Sequence, residues 1–340
     1  MNWNELDWAA LDRLRDGFLH GGAAQGPYWQ SESALASYDF TYGERIGWKW
    51  DHVLLELRLR GWAPSARTVF DWGCGSGIAA RRVIQFFGAA QFDELLVWDH
   101  EALACDFAAT AAERAFTGLR VAQATPGFLA ATEPIGLLLI SHVLNELSPD
   151  HLATLRQLIL RAQAVIWVEP GTHVVSRGLG LIRDAVRDDF RVIAPCTHQA
   201  ACPMFAPEHG RDWCHQFAAP PAEIFANPDW VKFGQRAGID LRGLPYSFLV
   251  LDRTAAPLAP GWSHIIGRPE RFKPYVRLLN CDATGLHELT LPKRNDGALF
   301  KELDRTKSPL VYHWSRDGDK ISAGHRLGAE SAPAGDPNSE

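Results

Sequence analysis

"TVFDWGCGSGIAARRVIQFFG", Thr68 to Gly88, passes from an apolar run through three alternate glycines into a helical pattern. Val69 and Phe70 read as a short strand that leads into Asp71. Gly73, Gly75 and Gly77 let the backbone turn sharply and approach a ligand where any Cβ would collide. The free amides at the start of the following helix face that ligand. A second run, "ELLVWDH", ends in Asp99, 22 positions after Gly77. A carboxylate placed there can accept both hydroxyls of a ribose. Strand, glycine loop, helix, strand and terminal acid, in that order, predict a nucleotide-binding α/β layer. The alternative is a tight turn that holds nothing.

The spacing Asp71-x-Gly73-x-Gly75-x-Gly77 resembles the first motif of class I S-adenosylmethionine-dependent methyltransferases. That resemblance implies that the glycines pass under the methionine moiety and that Asp99 holds the ribose. In the third run, "GLRVAQA", Gln123 stands where an acid often contacts adenine. The runs "IGLLLISHVLNELSP" and "AQAVIWVEPGTH" each break into polar residues, as strands four and five with ligand-facing ends should. Ser141, His142, Asn145, Glu146 and Glu169 are therefore expected near the transferred group. Ser141 is assigned to the cofactor, and the other four are candidate catalytic residues; capping and packing are the alternative for His142 and Asn145. No amide-binding Asn-Pro-Pro-Tyr motif and no catalytic cysteine follows strand four, so the acceptor chemistry stays open. Cys74 reads as a small loop residue and Cys105 as helix core.

Working outward, residues 1–65 read as helical, with Asn4 as a cap and Trp8, Leu11, Leu14 and Phe18 at three- to four-residue spacing. Residues 66–253 alternate strand-like and helical patterns, the signature of a parallel sheet. Residues 254–314 carry "YVRLLNCDATGLHELTLPK", two strand-like runs about a turn, and predict a small β module. From Ser315 to Glu340 the chain is Gly, Ser, Pro and charge, and a disordered tail is expected. The 340 residues suffice for a large core, and 46% hydrophobic with 22% charged residues reads as globular. No apolar run approaches the roughly 18 residues of a membrane span. The first residues, with Glu5, Asp7 and Asp12, lack the features of a signal or transit peptide. A bacterial cytoplasmic monomer is the expectation. A net charge of −6 leaves no global basic field, so any nucleic-acid contact must be local.

"APCTHQAACPMFAPEHGRDWCH", Ala194 to His215, holds three of six cysteines and three of thirteen histidines. In a reducing compartment such clustering favours metal over disulfides. Cys196, Cys202 and Cys214, with Cys281 from the β module, lack the tight C-x2-C pair of a zinc knuckle. Irregular spacing suits an iron–sulfur cluster; zinc with His198, His209 or His215 as a ligand is the alternative.

"HVLNEL", "VEPGT", "APCTHQAACPM", "DWCH" and "SFLVLDR", in this order after the glycine motif, resemble the methyltransferase-like proteins of the small ribosomal subunit. That family has bacterial and mitochondrial members and includes animal methyltransferase-like protein seventeen. The resemblance spans about residues 65–295. It implies a Rossmann-like methyltransferase domain with a 4Fe–4S cluster on Cys196, Cys202, Cys214 and Cys281, in a cysteine-rich insertion at 194–216. It also implies action on the small ribosomal subunit or its rRNA during assembly. Within "GRPERFKPYVR", Arg268, Arg271, Lys273 and Arg277 interleave with Phe272 and Tyr275, a composition suited to phosphate contact and base stacking. A solvated hairpin face is the alternative there. Two further readings are a non-catalytic RNA-binding assembly factor, and a small-molecule or protein methyltransferase with structural zinc.

Overall fold

The computed structural model describes residues 1–20 and 28–329. Three helices lead the chain: α1 (Trp8–His20), α2 (Glu32–Tyr38) and α3 (Glu44–Leu59), the last two joined by a π turn at Asp39–Gly43. The cap of α1 is Asp7, whose Oδ1 accepts the Ala10 amide at 2.9 Å, and not the expected Asn4. Asn2 caps the short turn before it. Leu11 and Leu14 are buried as their spacing predicts, whereas the Phe18 side chain lies outside the described residues.

Eight strands form the main sheet. They are β1 (Thr68–Trp72), β2 (Glu94–Trp98), β3 (Arg120–Gln123), β4 (Ile135–Ser141), β5 (Ala162–Pro170), β6 (Arg191–Ala194), β7 (Gln216–Ala218) and β8 (Leu244–Asp252). The order is β3-β2-β1-β4-β5-β8-β6, with β7 pairing the start of β8. The first five are parallel, and β8 is antiparallel to β5, β6 and β7. The helices α4 (Ile78–Phe87), α5 (Ala102–Ala115), α6 (Pro126–Ala130), α7 (Pro149–Arg161), α8 (His173–Val186) and α9 (Pro228–Ala237) connect them. Covered on both faces, the inner strands need no polar side, which is why "LLLI" of β4 is wholly buried. Alternate residues feed two cores: Leu137 and Leu139 join Leu54 of α3 and Val83 of α4, while Leu138 and Ile140 join Leu155 of α7 and Leu179 of α8. Chain order reverses between β1 and β4, and the crevice beyond their carboxyl ends is where open α/β sheets bind ligands.

The C-terminal module is larger than the hairpin expected from sequence. β9 (Trp262–Arg271), β10 (Tyr275–Asp282), β11 (Gly285–Pro292), α10 (Gly297–Arg305), β12 (Val311–Asp317) and β13 (Lys320–Arg326) form a closed barrel in the order β10-β11-β13-β12-β9. Its interior holds Ile265, Val276, Leu278, Leu289, Leu291, Tyr312 and Ile321, with Leu299, Phe300 and Leu303 of α10 packed on them. The expectation of a disordered tail from Ser315 is thereby corrected for residues 315–326. Strand alternation explains the misreading, because only Tyr312 and Ile321 need be apolar while Ser315, Lys320 and Ser322 are outward and exposed. Residues 330–340 of that expected tail lie outside the described residues.

Candidate active site and cysteine loop

The glycine loop follows β1 as its sequence requires. Gly73, Gly75 and Gly77 have φ of +69°, +50° and +74°, the left-handed region that favours glycine. A Cβ on Gly73 would meet Val143 at 2.9 Å, and one on Gly77 would meet Ala108 at 2.9 Å. The Gly75 amide donates to Asp99 Oδ2 at 3.0 Å, so the acid after β2 holds the loop. The Gly73 and Cys74 amides donate to the Trp98 carbonyl at 2.8 and 2.9 Å. Asp71 is fully buried and accepts the Ala80 amide through Oδ2 at 3.3 Å. Burial, with help from the Asp99 carboxylate, pushes the Asp71 carboxyl up to about 7. Its Oδ1 and the Ser76 hydroxyl are buried without a hydrogen-bond partner among the described residues. Cys74 is buried in the loop and Cys105 in α5. Gln123, exposed, donates to Asp106 Oδ1 at 2.6 Å.

A strap with no signal in its own residues lies over this loop. The Tyr28 and Trp29 amides donate to the two carboxylate oxygens of Glu101 at 2.6 and 3.1 Å. Trp29 is the nearest group, at 4.0 Å, to the position a Gly75 Cβ would take. The Tyr28 side chain faces Glu146.

At the carboxyl end of β4, His142 has φ +55° and meets Lys49 Nζ of α3 through Nε2 at 3.0 Å. Its Nδ1 lies 3.3 Å from Ser141 Oγ, which accepts the Trp50 indole N–H at 3.0 Å. Burial and the neighbouring Arg45 bring the Lys49 amine down to about 7, and burial with Lys49 keeps His142 well below the usual imidazole range. Glu169, at the end of β5, is fully buried, and burial pushes it up to about 7. Its Oε1 accepts the Val143 and Leu144 amides, both at 3.1 Å, and the Trp167 indole N–H at 2.6 Å, so it fixes the turn after β4. Its Oε2 is buried without a partner among the described residues. Asn145 and Glu146 are exposed in that turn. Lys49 and Trp50 escaped sequence reading because only folding brings α3 to β4.

The cysteine loop has little regular structure, and three arginines take up its backbone carbonyls. Arg60, the residue that caps α3, donates to the carbonyls of Ile193, Pro195 and Cys196 at 2.8, 2.7 and 3.1 Å. Arg177 of α8 reaches those of Met204, His209 and Asp212, and Arg183 those of His198 and Ala200. Cys202, Cys214 and Cys281 pack round one small cluster of Met204, Ile266 and Leu286. Cys196 lies within electrostatic reach of all three, as does the Arg183 guanidinium of Cys196 and Cys202. Burial pushes the Cys202 thiol up to about 11 and those of Cys214 and Cys281 higher. Among the described residues, no group of three or more His, Cys, Asp or Glu is gathered as a site for a metal ion. His198 Nε2 approaches Cys281 Sγ at 3.7 Å, whereas His209 pairs with Asp212 and His215 with the Trp213 carbonyl. The loop also meets the barrel through the Gly267 amide, which donates to the His215 carbonyl at 2.8 Å.

The four cations of "GRPERFKPYVR" do not form one free patch. Arg271 pairs with Asp304 and Arg277 with Glu270. Arg268 lies 4.0 Å over the Phe217 ring and lines a 390 Å³ cleft between sheet and barrel. Lys273 is exposed.

Sheet order, glycine loop and the acid after β2 define a Rossmann-like methyltransferase fold. The chain belongs to the family described as mitochondrial small ribosomal subunit Rsm22, whose family model matches residues 53–307. Comparison with curated proteins gives no match. Among solved structures, a putative RNA methyltransferase from Pyrococcus horikoshii is 10% identical, covers 59% of this chain and 79% of its own, and has a TM-score of 0.38. Magnesium protoporphyrin IX methyltransferase from Synechocystis, with bound SAH, is 13% identical over 72% of this chain and 100% of its own, TM-score 0.39. The 16S rRNA methylase RmtB is 14% identical over 55% and 69%, TM-score 0.34. No helix among the described residues is long and apolar enough to cross a membrane.

Proposed function

We propose that this chain binds S-adenosylmethionine beyond β1 and β4 and methylates small-subunit rRNA during ribosome assembly. The observation that carries the reading is the left-handed Gly73–Gly77 loop tied to Asp99 at the point where strand order reverses. The orphaned Asp71 Oδ1 and Ser76 Oγ leave hydrogen-bonding capacity beside that loop for a polar ligand. In this reading Asp71, Gly73, Gly75, Gly77, Asp99 and Ser141 hold the cofactor, which supplies the methyl group. Gln123, already engaged by Asp106, contributes little. His142 and Glu169 lie at the strand ends, and Asn145 and Glu146 in the turn beside them are open to an acceptor. Family membership supports the ribosomal partner.

In the same reading a 4Fe–4S cluster sits on Cys196, Cys202, Cys214 and Cys281 and staples the loop to the barrel. The donor chemistry fits: Cys202, Cys214 and Cys281, kept protonated by burial and within electrostatic reach of Cys196, are thiols that a cationic centre would deprotonate. The nearby Arg183 guanidinium offsets the negative charge of the thiolates.

A non-catalytic RNA-binding role is the second reading. It is favoured by the candidate catalytic groups being tied up, His142 by Lys49 and one Glu169 oxygen by three donors. Transfer of a labelled methyl group to small subunits from a strain lacking this protein separates the two. Labelled rRNA supports the enzyme; cofactor binding and cosedimentation without label support the assembly factor. Label in a protein or small molecule, with one zinc per chain, favours the third reading.

A further inference from the structure

The barrel closes as β9-β10-β11-β13-β12-β9, with β11 and β13 parallel and the remaining neighbours antiparallel. One helix, α10, joins β11 to β12 and plugs the interior. This connection is that of the oligonucleotide/oligosaccharide-binding fold. Members of that fold bind ligands on the outer face of strands two and three, between the loops joining strands one to two and four to five. A fold names no function by itself, so the surface must decide.

Here that surface is a built one. Strand alternation sends Val276, Leu278, Leu289 and Leu291 inward, leaving Tyr275, Arg277, Glu288, Thr290 and Pro292 outward. These outward residues floor an open cleft of 820 Å³ whose rim carries Lys293, Arg294 and Lys320. The three rim cations are exposed, and none forms an ion pair among the described residues. Among the described residues Glu288 is the one acid lining the cleft, so this surface is net positive. Beside it Phe272, 39% exposed, stacks on Tyr275 with centroids 4.7 Å apart. The other half of the same face, Leu279, Cys281 and Leu286, is covered by Met204 of the cysteine loop, which bounds the cleft at that end.

We propose that the outer face of β10 and β11 binds single-stranded RNA. The phosphates run along Arg294, Lys320 and Lys293, and a base stacks on the Phe272–Tyr275 pair. Free cations on the rim match a phosphate backbone, and an exposed ring accepts any base. A duplex would bury its bases from that ring. The inference rests on the ribosomal reading only for the source of the RNA.

The test is anisotropy of the full chain with a labelled 15-nucleotide RNA, about the length one such barrel spans, against a duplex of the same sequence. Arg294→Glu with Lys320→Glu alters two exposed, unpaired side chains, so the fold is kept. It is expected to weaken single-strand binding at least tenfold and to lower the salt slope by roughly 1.4, at about 0.7 per phosphate. Phe272→Ala is expected to weaken binding several-fold with the slope unchanged. Wild-type affinity in both variants, or a preference for the duplex, overturns the proposal. Cosedimentation with small subunits is scored separately. If it persists while both variants bind normally, only this inference fails; if it is absent while the oligonucleotide results hold, only the ribosomal reading fails.

Discussion

His264 Nε2 of the barrel lies 3.3 Å from Glu56 Oε2 of α3, with the two side chains 2% and 1% exposed. Glu56 also pairs with Arg60 at 2.7 Å, and Arg60 holds the carbonyls at the start of the cysteine loop. One buried carboxylate thus joins sheet domain, loop and barrel. Burial opposes its charge, but Arg60 and His264 outweigh it and hold Glu56 at about 2. A carboxyl depressed in the folded state stabilises above its unfolded value, about 4.3, and loses that contribution as pH falls toward 2. Glu56→Gln is expected to cost roughly 3–5 kcal/mol at pH 6, since it strands a buried guanidinium. Guanidinium denaturation should show the gap from wild type shrinking by pH 3. A gap that is the same at both pH values would sink the ion-pair account.

Gly77→Ala sets a left-handed alanine against Ala108, whose Cβ would be 2.9 Å away. The conformational cost is about 1–2 kcal/mol, and the clash adds to it. Gly61→Ala, at φ +72° and with nothing within 4 Å, carries the backbone cost alone. Thermal melts should rank Gly77→Ala as the more damaging, with cofactor binding lost as well. Equal melting temperatures would mean that the loop yields to the methyl group.

Lys49, like Glu56, makes stability rise with pH, but in a higher window. With its amine near 7 in the fold and about 10.4 unfolded, the unfolded chain holds the extra proton between those values. Wild-type stability should therefore rise from pH 7 to 10 by about 2 kcal/mol or more through this residue. Lys49→Met is expected to flatten that rise. Parallel curves for the two proteins would show that the amine stays protonated beside His142.

Cofactor affinity reads the role of Asp99. Calorimetry with S-adenosylmethionine on Asp99→Ala should show a loss on the order of 1–3 kcal/mol for the ribose hydrogen bonds. Gln123→Ala should bind nearly as wild type does. Reversal of that order would move the adenine contact to Gln123 and leave Asp99 as a loop brace.

Anaerobic purification tests the thiols. The protein is expected to be brown with iron and sulfide, and Cys214→Ser colourless. Stripped protein should be cut by protease near residues 196–215, because binding of a metal centre is coupled to folding of its ligand loop. A colourless wild type with one equivalent of zinc would favour zinc, with His198, the histidine nearest a thiol, as the fourth ligand.

The glycine loop, Asp99 and the strands β4, β5 and β8 were legible because a buried strand carries a continuous apolar run. Local chemistry also marked the cysteine loop and its distant partner Cys281. What hid was whatever depends on contact across the chain. Lys49 meets His142 from 93 positions away, Arg60 reaches Pro195 across 135, and nothing near either residue announces it. The charges of Arg271 and Arg277 were legible, but the acids that pair with them were not. β13 hid for another reason: a barrel strand with one polar face resembles a solvated tail.

That last strand decides where the chain can be cut. β13 bonds to both β11 and β12, so removing residues from Ser315 onward deletes it and shortens β12. The shortened barrel would gape, stripping β12 of its ladder and β11 of its bridge at Thr290, and uncovering Leu291 and Tyr312. Open edges of that kind recruit other chains. A truncation chosen by composition is therefore expected to yield aggregates, whereas one placed after Ala329 keeps the ring shut.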